Sequence, residues 1–503
     1  MEEFEHECIE QTISRFLPTV MTQSILQRRG TAGAPTAQHG AELVVAGVQR
    51  LAAQQHADGG WGWWPTEESD PYLTAYALLG LQRAQQAGHT VPQNMRTLAI
   101  AFVRARLRYP NQLEQAADFN RQVFMLYALS ESGVKHPSAL SLYYSERSRL
   151  GHYGRALLAL AMHAEDASDP RTATLLSDLA GAAAISATGA HWNESAAPEL
   201  SNMNTDLRST AMALSAFVRI DARNALIPNV VRWLVAQRGA QGAWGTTQQT
   251  AWSLMALSDW LAAGGDAPAS YAYTLLLNGK ALAQGSAAEL SAPRQLSVTA
   301  PDLLAPVNQL LVQRTAGTGS LYYTAVLRHT EPAASAAALS RGIVVSRVYT
   351  LRSKTCGAKG QPRCASTTSV PAGADVNVTL TLVGQADLHH VLLEDPFPAG
   401  AEPVDSSLQT SSVVGQQPED SSTDPAYYGW GWWWFSNVNV RDEKLVLSAA
   451  YLPAGTYQYT YTLHAQLAGQ YNVPPATASE FYFPEVWGRS DGARFEINAA
   501  PAP

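Results

Sequence analysis

The chain runs to 503 residues, 46% of them hydrophobic, enough to bury the cores of roughly two to four domains. Its 34 lysines and arginines against 42 aspartates and glutamates leave a formal charge of -8 with no basic run to track phosphates or an anionic bilayer, which argues against nucleic-acid and membrane-surface partners. No apolar stretch reaches the roughly eighteen residues of a membrane span, and the opening "MEEFEHE" is acidic where a signal peptide is basic and then apolar, so any export address is expected upstream of this sequence.

At the front, "CIEQTISRFLP" places Cys8 three residues before Gln11. Residues three apart share a face of a helix or helical turn, so the thiol can reach the carboxamide carbon. Attack there with loss of ammonia gives an intramolecular thioester, an acylating agent that survives only in a dry pocket. Aromatic groups suited to such a pocket are present in "GGWGWWP" (Trp61, Trp63, Trp64) and "EFYFPEVWG" (Phe481, Tyr482, Phe483, Trp487). Spacing alone also fits a buried, inert thiol.

Up to about residue 265 the pattern is helical. "DPYLTAYALLGLQRAQQAG" puts Leu73, Tyr76, Ala77, Gly80 and Ala84 on one face, and about ten to twelve such segments are separated by breaks such as Ser69–Pro71 and Gly264-Gly265. A weak repeat, "QHADGGW" (Gln55 to Trp61) and "QRGAQGAW" (Gln237 to Trp244), sets a Gln, a Gly turn and a Trp at the ends of helices. In a ring of helical hairpins the Trp can plug the gap between helix ends while the Gln bonds exposed backbone. An all-α, α/α toroid of the terpenoid-cyclase kind is expected over residues 1–266. His136, His152 and His163 fall in this half, in no motif that gives them a task.

Beyond residue 265 the pattern alternates, as β-sandwich domains do. "SLYYTAVLRHT", "GIVVSRVYTLRS" and "DVNVTLTLVG" read as strands, and "KLVLSAAYL" with "TYQYTYTLH" reads as a hairpin across Pro453-Ala454-Gly455. The expected division is a partial β domain at 267–330, a linker at 331–340 and a terminal sandwich at 341–503. Residues 406–425 read as a long loop, and "YYGWGWWWF" (Tyr427 to Phe435) as a carbohydrate platform or, with Trp430, Trp432 and Trp434 on one face and Trp433 on the other, as a packed sheet edge. Cys356 and Cys364 can pair across a Gly/Pro-containing turn, which would imply an oxidising compartment, or remain two loop thiols.

"CIEQTISRFLP" is similar to the thioester region of bacterial α2-macroglobulins, Gly-Cys-x-Glu-Gln followed by Thr, Ser and an apolar helix. "DGGWGWW", "SDPYLTAYALLGL", "NTDLRSTAMAL" and "WGTTQQTAWSLMAL" resemble successive stations of that family's thioester domain. "LYYTAVL" resembles the trailing half of its CUB-like domain, and "GIVVSRVY" and the "VRDEKLVLSAAYLPAGTYQY" to "FYFPEVWGRS" stretch resemble its terminal macroglobulin-like (MG10) domain.

The resemblance implies a broad-range protease inhibitor, not an enzyme, that works outside the cytoplasm. A protease cuts a bait segment, the molecule rearranges and the exposed thioester captures an amine of the attacker. By position Cys8 would supply the sulfur and Gln11 the acyl group, with Glu10 their motif neighbour, and Tyr482 would help shield the bond. No cofactor or metal is implied. In eukaryotic relatives a toroid histidine attacks the thioester, a role none of His136, His152 or His163 matches by motif.

Three departures stand out. Glu7 replaces the Gly that permits a tight turn, and sets a carboxylate beside the nucleophile, which disfavours the thiolate. No bait segment is recognisable. Only the trailing half of the CUB-like domain is expected, as in a truncated or split gene product whose bait-bearing part lies on an upstream chain. Among rivals, a terpene cyclase would need Asp-x-Asp-Asp, which the sequence lacks, and a prenyltransferase would need a zinc site for which Cys8 is misplaced. A cysteine hydrolase would need a nucleophile signature around Cys8. A binding or adhesion module without a thioester, or a fragment with no independent function, remains the alternative.

Overall fold

The structure is a computed structural model that describes residues 8–28, 35–65, 67–187, 189–194, 199, 202–239, 242–265, 269–289, 295–299, 303, 307–323, 325–328, 330, 332–352, 356, 364–404, 434–435 and 437–499. It divides into two compact units, residues 1–326 and 327–503.

In the first unit, eleven α-helices are described: α1 Ile9–Arg28, α2 Pro35–Ala53, α3 Pro71–Gln86, α4 Gln93–Ala105, α5 Ala116–Glu131, α6 Pro137–Ser145, α7 His152–Glu165, α8 Arg171–Ala182, α9 Asp206–Ile220, α10 Ile227–Ala236 and α11 Thr247–Ala262. The odd-numbered helices pack in sequence, α1 on α3, then α5, α7, α9 and α11, and α11 returns to α1. The even-numbered helices lie against this closed ring, α2 on α1, α4 on α3, α6 and α8 on α7, and α10 on α9. This is the α/α toroid that the helical periodicity predicts.

Position in the ring explains composition. Inner helices are apolar almost all round: Tyr72 through Leu81 of α3 and Phe119 through Glu131 of α5, except Arg121, are buried, whereas outer α4 buries only Met95, Ala99, Phe102 and Val103. The breaks in the sequence are caps. Asp70 accepts from Leu73 N–H at 2.8 Å, with Pro71 opening α3, and Thr205 and Thr246 cap α9 and α11 by accepting from Arg208 and Gln249. Gly88 and Gly133, at φ +88° and +83°, end α3 and α5 in the left-handed conformation that lets His89 and Val134 N–H reach back to Ala84 and Leu129 carbonyls.

The repeat occurs three times. Trp61, Trp192 and Trp244 each donate an indole N–H to a leucine carbonyl of the preceding outer helix (Leu51, Leu179, Leu234), all at 2.8 Å. The backbone N–H of each donates to a threonine hydroxyl of the following inner helix (Thr74, Thr210, Thr250) at 3.0–3.1 Å. Gln55 bonds the carbonyls of Gly59 and Met95, both at 2.9 Å, as the exposed-backbone reading expects.

At the C-terminal ends of the inner helices, Glu131 of α5 takes Arg83 of α3 and Arg219 of α9, each at 2.7 Å. Cations there also complement the helix dipoles. Burial pushes Glu131 up, but the two guanidiniums outweigh it and hold the carboxyl below its ordinary 4.5.

A hairpin, β1 Ala184–Ser186 and β2 Gly189–His191, follows α8. After α11 come β3 Ala272–Leu277, β4 Lys280–Ser286 and β5 Leu310–Arg314 in an antiparallel sheet ordered β4-β3-β5. The expected strand at Ser320–Thr330 is not one: its described residues join no ladder, and Tyr323 and Leu327 are largely exposed. Alternation suits a segment to a ladder but does not by itself pair its N–H and C=O groups with a neighbouring edge.

The second unit is a β-sandwich. Its strands are β6 Leu339–Arg341, β7 Ile343–Leu351, β8 Ser369–Pro371, β9 Asp375–Gly384, β10 Leu388–Pro396, β11 Ala401–Pro403, β12 Asn437–Val440, β13 Lys444–Leu452, β14 Gly455–Ala465, β15 Gly469–Val473, β16 Thr477–Glu480, β17 Phe483–Arg489 and β18 Ala493–Asn498. They form sheets ordered β12-β13-β10-β16-β17-β6, β11-β14-β9-β7 and β15-β18-β8. The segment expected as a linker thus ends in a strand, β6.

The expected β13–β14 hairpin is replaced by a corner: β13 pairs with β10, β14 with β9, and Pro453-Ala454 carries the chain from one sheet to the other. Asp387 accepts from Ala454 N–H at 2.9 Å and fixes that corner. Tyr457, Tyr459 and Tyr461 lean on the shared apolar core, as the alternation predicts. A buried pair, Arg347 of β7 with Asp395 of β10 at 2.7 Å, crosses between the sheets, and Tyr461 donates to the same carboxylate. A disulfide joins Cys356 and Cys364. Residues 406–425 and Trp430, Trp432 and Trp433 lie outside the described residues.

Glu131→Gln takes away the carboxylate that Arg83 and Arg219 share, leaving them the Tyr127 hydroxyl and the nearby Asp259, and is expected to cost about 3 kcal/mol of unfolding free energy at pH 7, read by urea titration. Because Glu131 is held below 4.5 in the folded state, its contribution is complete above that pH and fades as pH falls through the folded value. The gap between the parent chain and the variant should therefore narrow on acidification; a gap constant down to acid unfolding contradicts the assignment.

Candidate functional site at the start of α1

Cys8 is buried, forms no disulfide and stands immediately before the first residue of α1. Gln11 is the third helical residue, and its Oε1 accepts the backbone N–H of Cys8 at 3.1 Å. That is the return half of a capping box, in which the side chain at the third position satisfies the N–H of the residue before the helix. Thr12 closes the turn, its N–H and hydroxyl both donating to the Cys8 carbonyl at 3.0 and 3.1 Å. The carboxamide is thereby folded back over the residue that carries the thiol.

The next N–H, of Ile9, donates to the Trp63 carbonyl at 3.2 Å and ties α1 to the "GGWGWWP" loop. The indole of Trp61 is wholly buried and engaged with Leu51 at the end of α2, while Trp64 is half-buried. Trp61 therefore anchors the loop, and a backbone group of Trp63 touches the first turn. Glu7 lies outside the described residues.

Glu10 is fully buried and binds α1 to α11. Its carboxylate accepts from Thr247 Oγ1 at 3.1 and 3.0 Å, from Gln248 Nε2 at 2.9 Å and from the Ser14 hydroxyl. A polar chain continues inward: Gln248 Oε1 accepts from Trp252 Nε1 at 3.1 Å and from the Tyr72 hydroxyl at 3.4 Å, and Tyr72 in turn accepts from Arg208. Burial pushes the Tyr72 phenol up to about 12 and Tyr76 well above its ordinary value. Both therefore stay protonated donors.

A second network at the same helix ends went unread in the sequence. Glu194 accepts the first two N–H groups of α7, from His152 and Tyr153, and Glu199 takes Asn120 at 2.6 Å, Asn202 at 3.1 Å and the Tyr153 hydroxyl. Among the described residues none of His136, His152 and His163 bonds to α1. Burial lowers His136 and His163, and His136 starts α6 with its N–H on Glu165.

In the second unit, Tyr482 is buried with its ring edge-on to His390 and Phe481, both at 5.0 Å between centroids. Nearby Glu480 is pushed up to about 7 by burial, against the stabilising N–H of His389 at 2.6 Å.

Two family models match this chain: the A-macroglobulin TED domain over residues 3–106 and 120–260, and the Bacterial Alpha-2-macroglobulin MG10 domain over residues 342–485. The chain belongs to the bacterial alpha-2-macroglobulin family. It corresponds to the C-terminal portion of that family's proteins. An alpha-2-macroglobulin homolog of Nostoc sp. is 26% identical over 495 residues, which are 96% of this chain and 25% of that protein. Thioester-containing protein 1 allele R1 of Anopheles gambiae is 24% identical over 274 residues, half of this chain and 20% of that protein. The crystal structure of native alpha-2-macroglobulin from Escherichia coli, spanning domain MG7 to the C-terminus, matches with a TM-score of 0.67 at 18% identity, covering 99% of this chain and 74% of that one. The chain thus spans about a quarter of the length of the Nostoc relative.

Glu10→Ala deprives Thr247, Gln248 and Ser14 of their common acceptor inside the alpha-2-macroglobulin toroid. It is expected to lower the stability of the first unit by about 2–3 kcal/mol, measured by urea unfolding followed by helical circular dichroism. A loss below about 0.5 kcal/mol would show that the carboxylate does not fasten α1 to α11.

Proposed function

We propose that this chain is the thioester-bearing C-terminal part of a broad-range protease inhibitor, a single-use covalent trap in which Cys8 and Gln11 form the reactive bond. The observation that carries the reading is the hydrogen bond from Cys8 N–H to Gln11 Oε1 at 3.1 Å. It folds the carboxamide back onto the residue that carries the thiol, and it aims a backbone donor at the oxygen that gathers charge when a nucleophile attacks Cδ. The start of a helix favours negative charge at that point.

In the forming step the Cys8 sulfur bonds to Cδ of Gln11, the Cδ–Nε2 bond breaks, and the thiol proton leaves with the nitrogen as ammonia. In the trapping step a lysine amine of the protease attacks Cδ, an amide forms, and the Cys8 thiol is released with the amine's proton. Burial of Cys8 keeps water from competing. Relatives named for this chemistry, such as the thioester-containing protein of Anopheles gambiae, support the reading. So does the Cys356–Cys364 disulfide, which suits an oxidising periplasmic, surface or secreted setting. No described helix is long and apolar enough to cross a membrane. The family resemblance is the ground for proposing Tyr482 as a shield of the thioester and target proteases as the partners. The bait segment that springs the trap belongs to the part of the inhibitor outside the matched quarter, on this or an upstream chain.

Methylamine tests the reading. Of three cysteines two are paired, so exposure to methylamine is expected to release one titratable thiol, at Cys8, and to add one methylamine to the chain. Gln11→Ala should show no such release, and Tyr482→Gly should react faster than the parent. A Cys8 thiol that titrates equally before and after methylamine contradicts the trap and leaves Cys8-x-x-Gln11 as a helix cap in a binding module.

A further inference from the structure

A cleft of about 490 Å³ opens over α5 between the C-terminal end of α4 and the start of α6, within the range of small-molecule sites. In a chain of net charge -8 the charged groups of its lining are cationic: Arg104 and Arg108 line it with His136, Tyr109 and Tyr143, and no carboxylate does. Arg104, Arg106 and Arg108 alternate along "RARLR", too short a run to be read as a phosphate track. The fold separates them. Arg106 turns to Asp58 at 3.6 Å and stacks on Phe102 at 3.3 Å. The exposed guanidiniums of Arg104 and Arg108 have no ion-pair or hydrogen-bond partner among the described residues, and they share the cleft.

The backbone beneath Arg108 is fixed. Its N–H donates to Gln122 Oε1 at 2.8 Å and its carbonyl accepts the buried Tyr143 hydroxyl at 2.7 Å. His136 is set in place by its own N–H on Glu165 at 2.7 Å, yet its Nε2 is buried with no hydrogen-bond partner. Two arginines without an ion-pair partner among the described residues, on one concave surface that His136 also lines, make a face suited to an anion. Arginine suits carboxylate and phosphate oxygens because its planar fork donates two parallel N–H groups.

We propose that this cleft binds a small anion bearing carboxylate or phosphate oxygens, clamped by Arg104 and Arg108 with His136 as a further polar contact. The assignment is independent of the thioester. Burial and the charge of Arg104 hold His136 below its ordinary value, opposed by Glu165, so an anion that offsets Arg104 relieves part of that strain on the imidazole.

Calorimetric titration of the full chain at fixed ionic strength, with citrate in one arm and inorganic phosphate in the other against a chloride control, tests the proposal. At least one arm is expected to give saturable one-to-one binding, weakened about tenfold or more in Arg104→Ala/Arg108→Ala. The arm that saturates assigns the oxygen class. Both arginines are exposed, so the variant should unfold at the parent's urea midpoint; His136→Ala gives a second variant with both arginines in place and should also weaken binding. Heats no larger than chloride in both arms, or affinity unchanged in the double variant, overturn the proposal.

Discussion

A ring of helices has to close on itself, and the contact that closes this one is the buried carboxylate of Glu10. Helices α3 to α11 each follow their neighbour in the ring through a local hairpin, but α1 and α11 are far apart in sequence and meet only by tertiary contact. Glu10 takes two consecutive residues of α11, Thr247 and Gln248, at the start of that helix. A charge removed from water without partners is costly; surrounded by hydroxyl and amide donors it becomes a demand for one arrangement only. Because Glu10 lies between Cys8 and Gln11, the same contact also fixes the turn in which the Gln11 carboxamide caps the Cys8 N–H.

The rest of the toroid is arranged around that turn. Each indole in the three-fold Trp–Leu–Thr repeat plugs the junction between an outer and an inner helix, and the first of them, Trp61, anchors the loop whose next tryptophan carbonyl caps Ile9. At the opposite ends of the inner helices the Arg83–Glu131–Arg219 cluster locks α3, α5 and α9 together. The turn that carries Cys8 and Gln11 thus sits on a scaffold braced at both poles.

What could be read from sequence was what local pattern encodes. Helical periodicity and the breaks at Asp70 and Gly264 gave the toroid, and the spacing of Cys8 and Gln11 gave the turn. Trp192 escaped notice because its lead-in, "ISATGAHW", is a short hairpin and not the Gln-Gly approach of Trp61 and Trp244. The α11 partners of Glu10 lie 237 and 238 residues away, beyond any local signal. The same limit explains the β half: Pro453-Ala454-Gly455 has the chemistry of a hairpin turn and serves as a corner between sheets, and the alternation at Ser320–Thr330 suits a strand, yet its described residues join no ladder. Pattern identifies what a segment is suited to pair with, and only the assembled fold decides whether that pairing is made.

In the proposed trap the capping bond between Gln11 and Cys8 is the precursor geometry of a covalent one. The intact mass of the full chain, denatured in acid without amines, beside that of Cys8→Ser, tests it most directly. The parent mass is expected one ammonia below that calculated for a chain with its Cys356–Cys364 disulfide, and the variant at its calculated mass. A parent chain at its full calculated mass would contradict it.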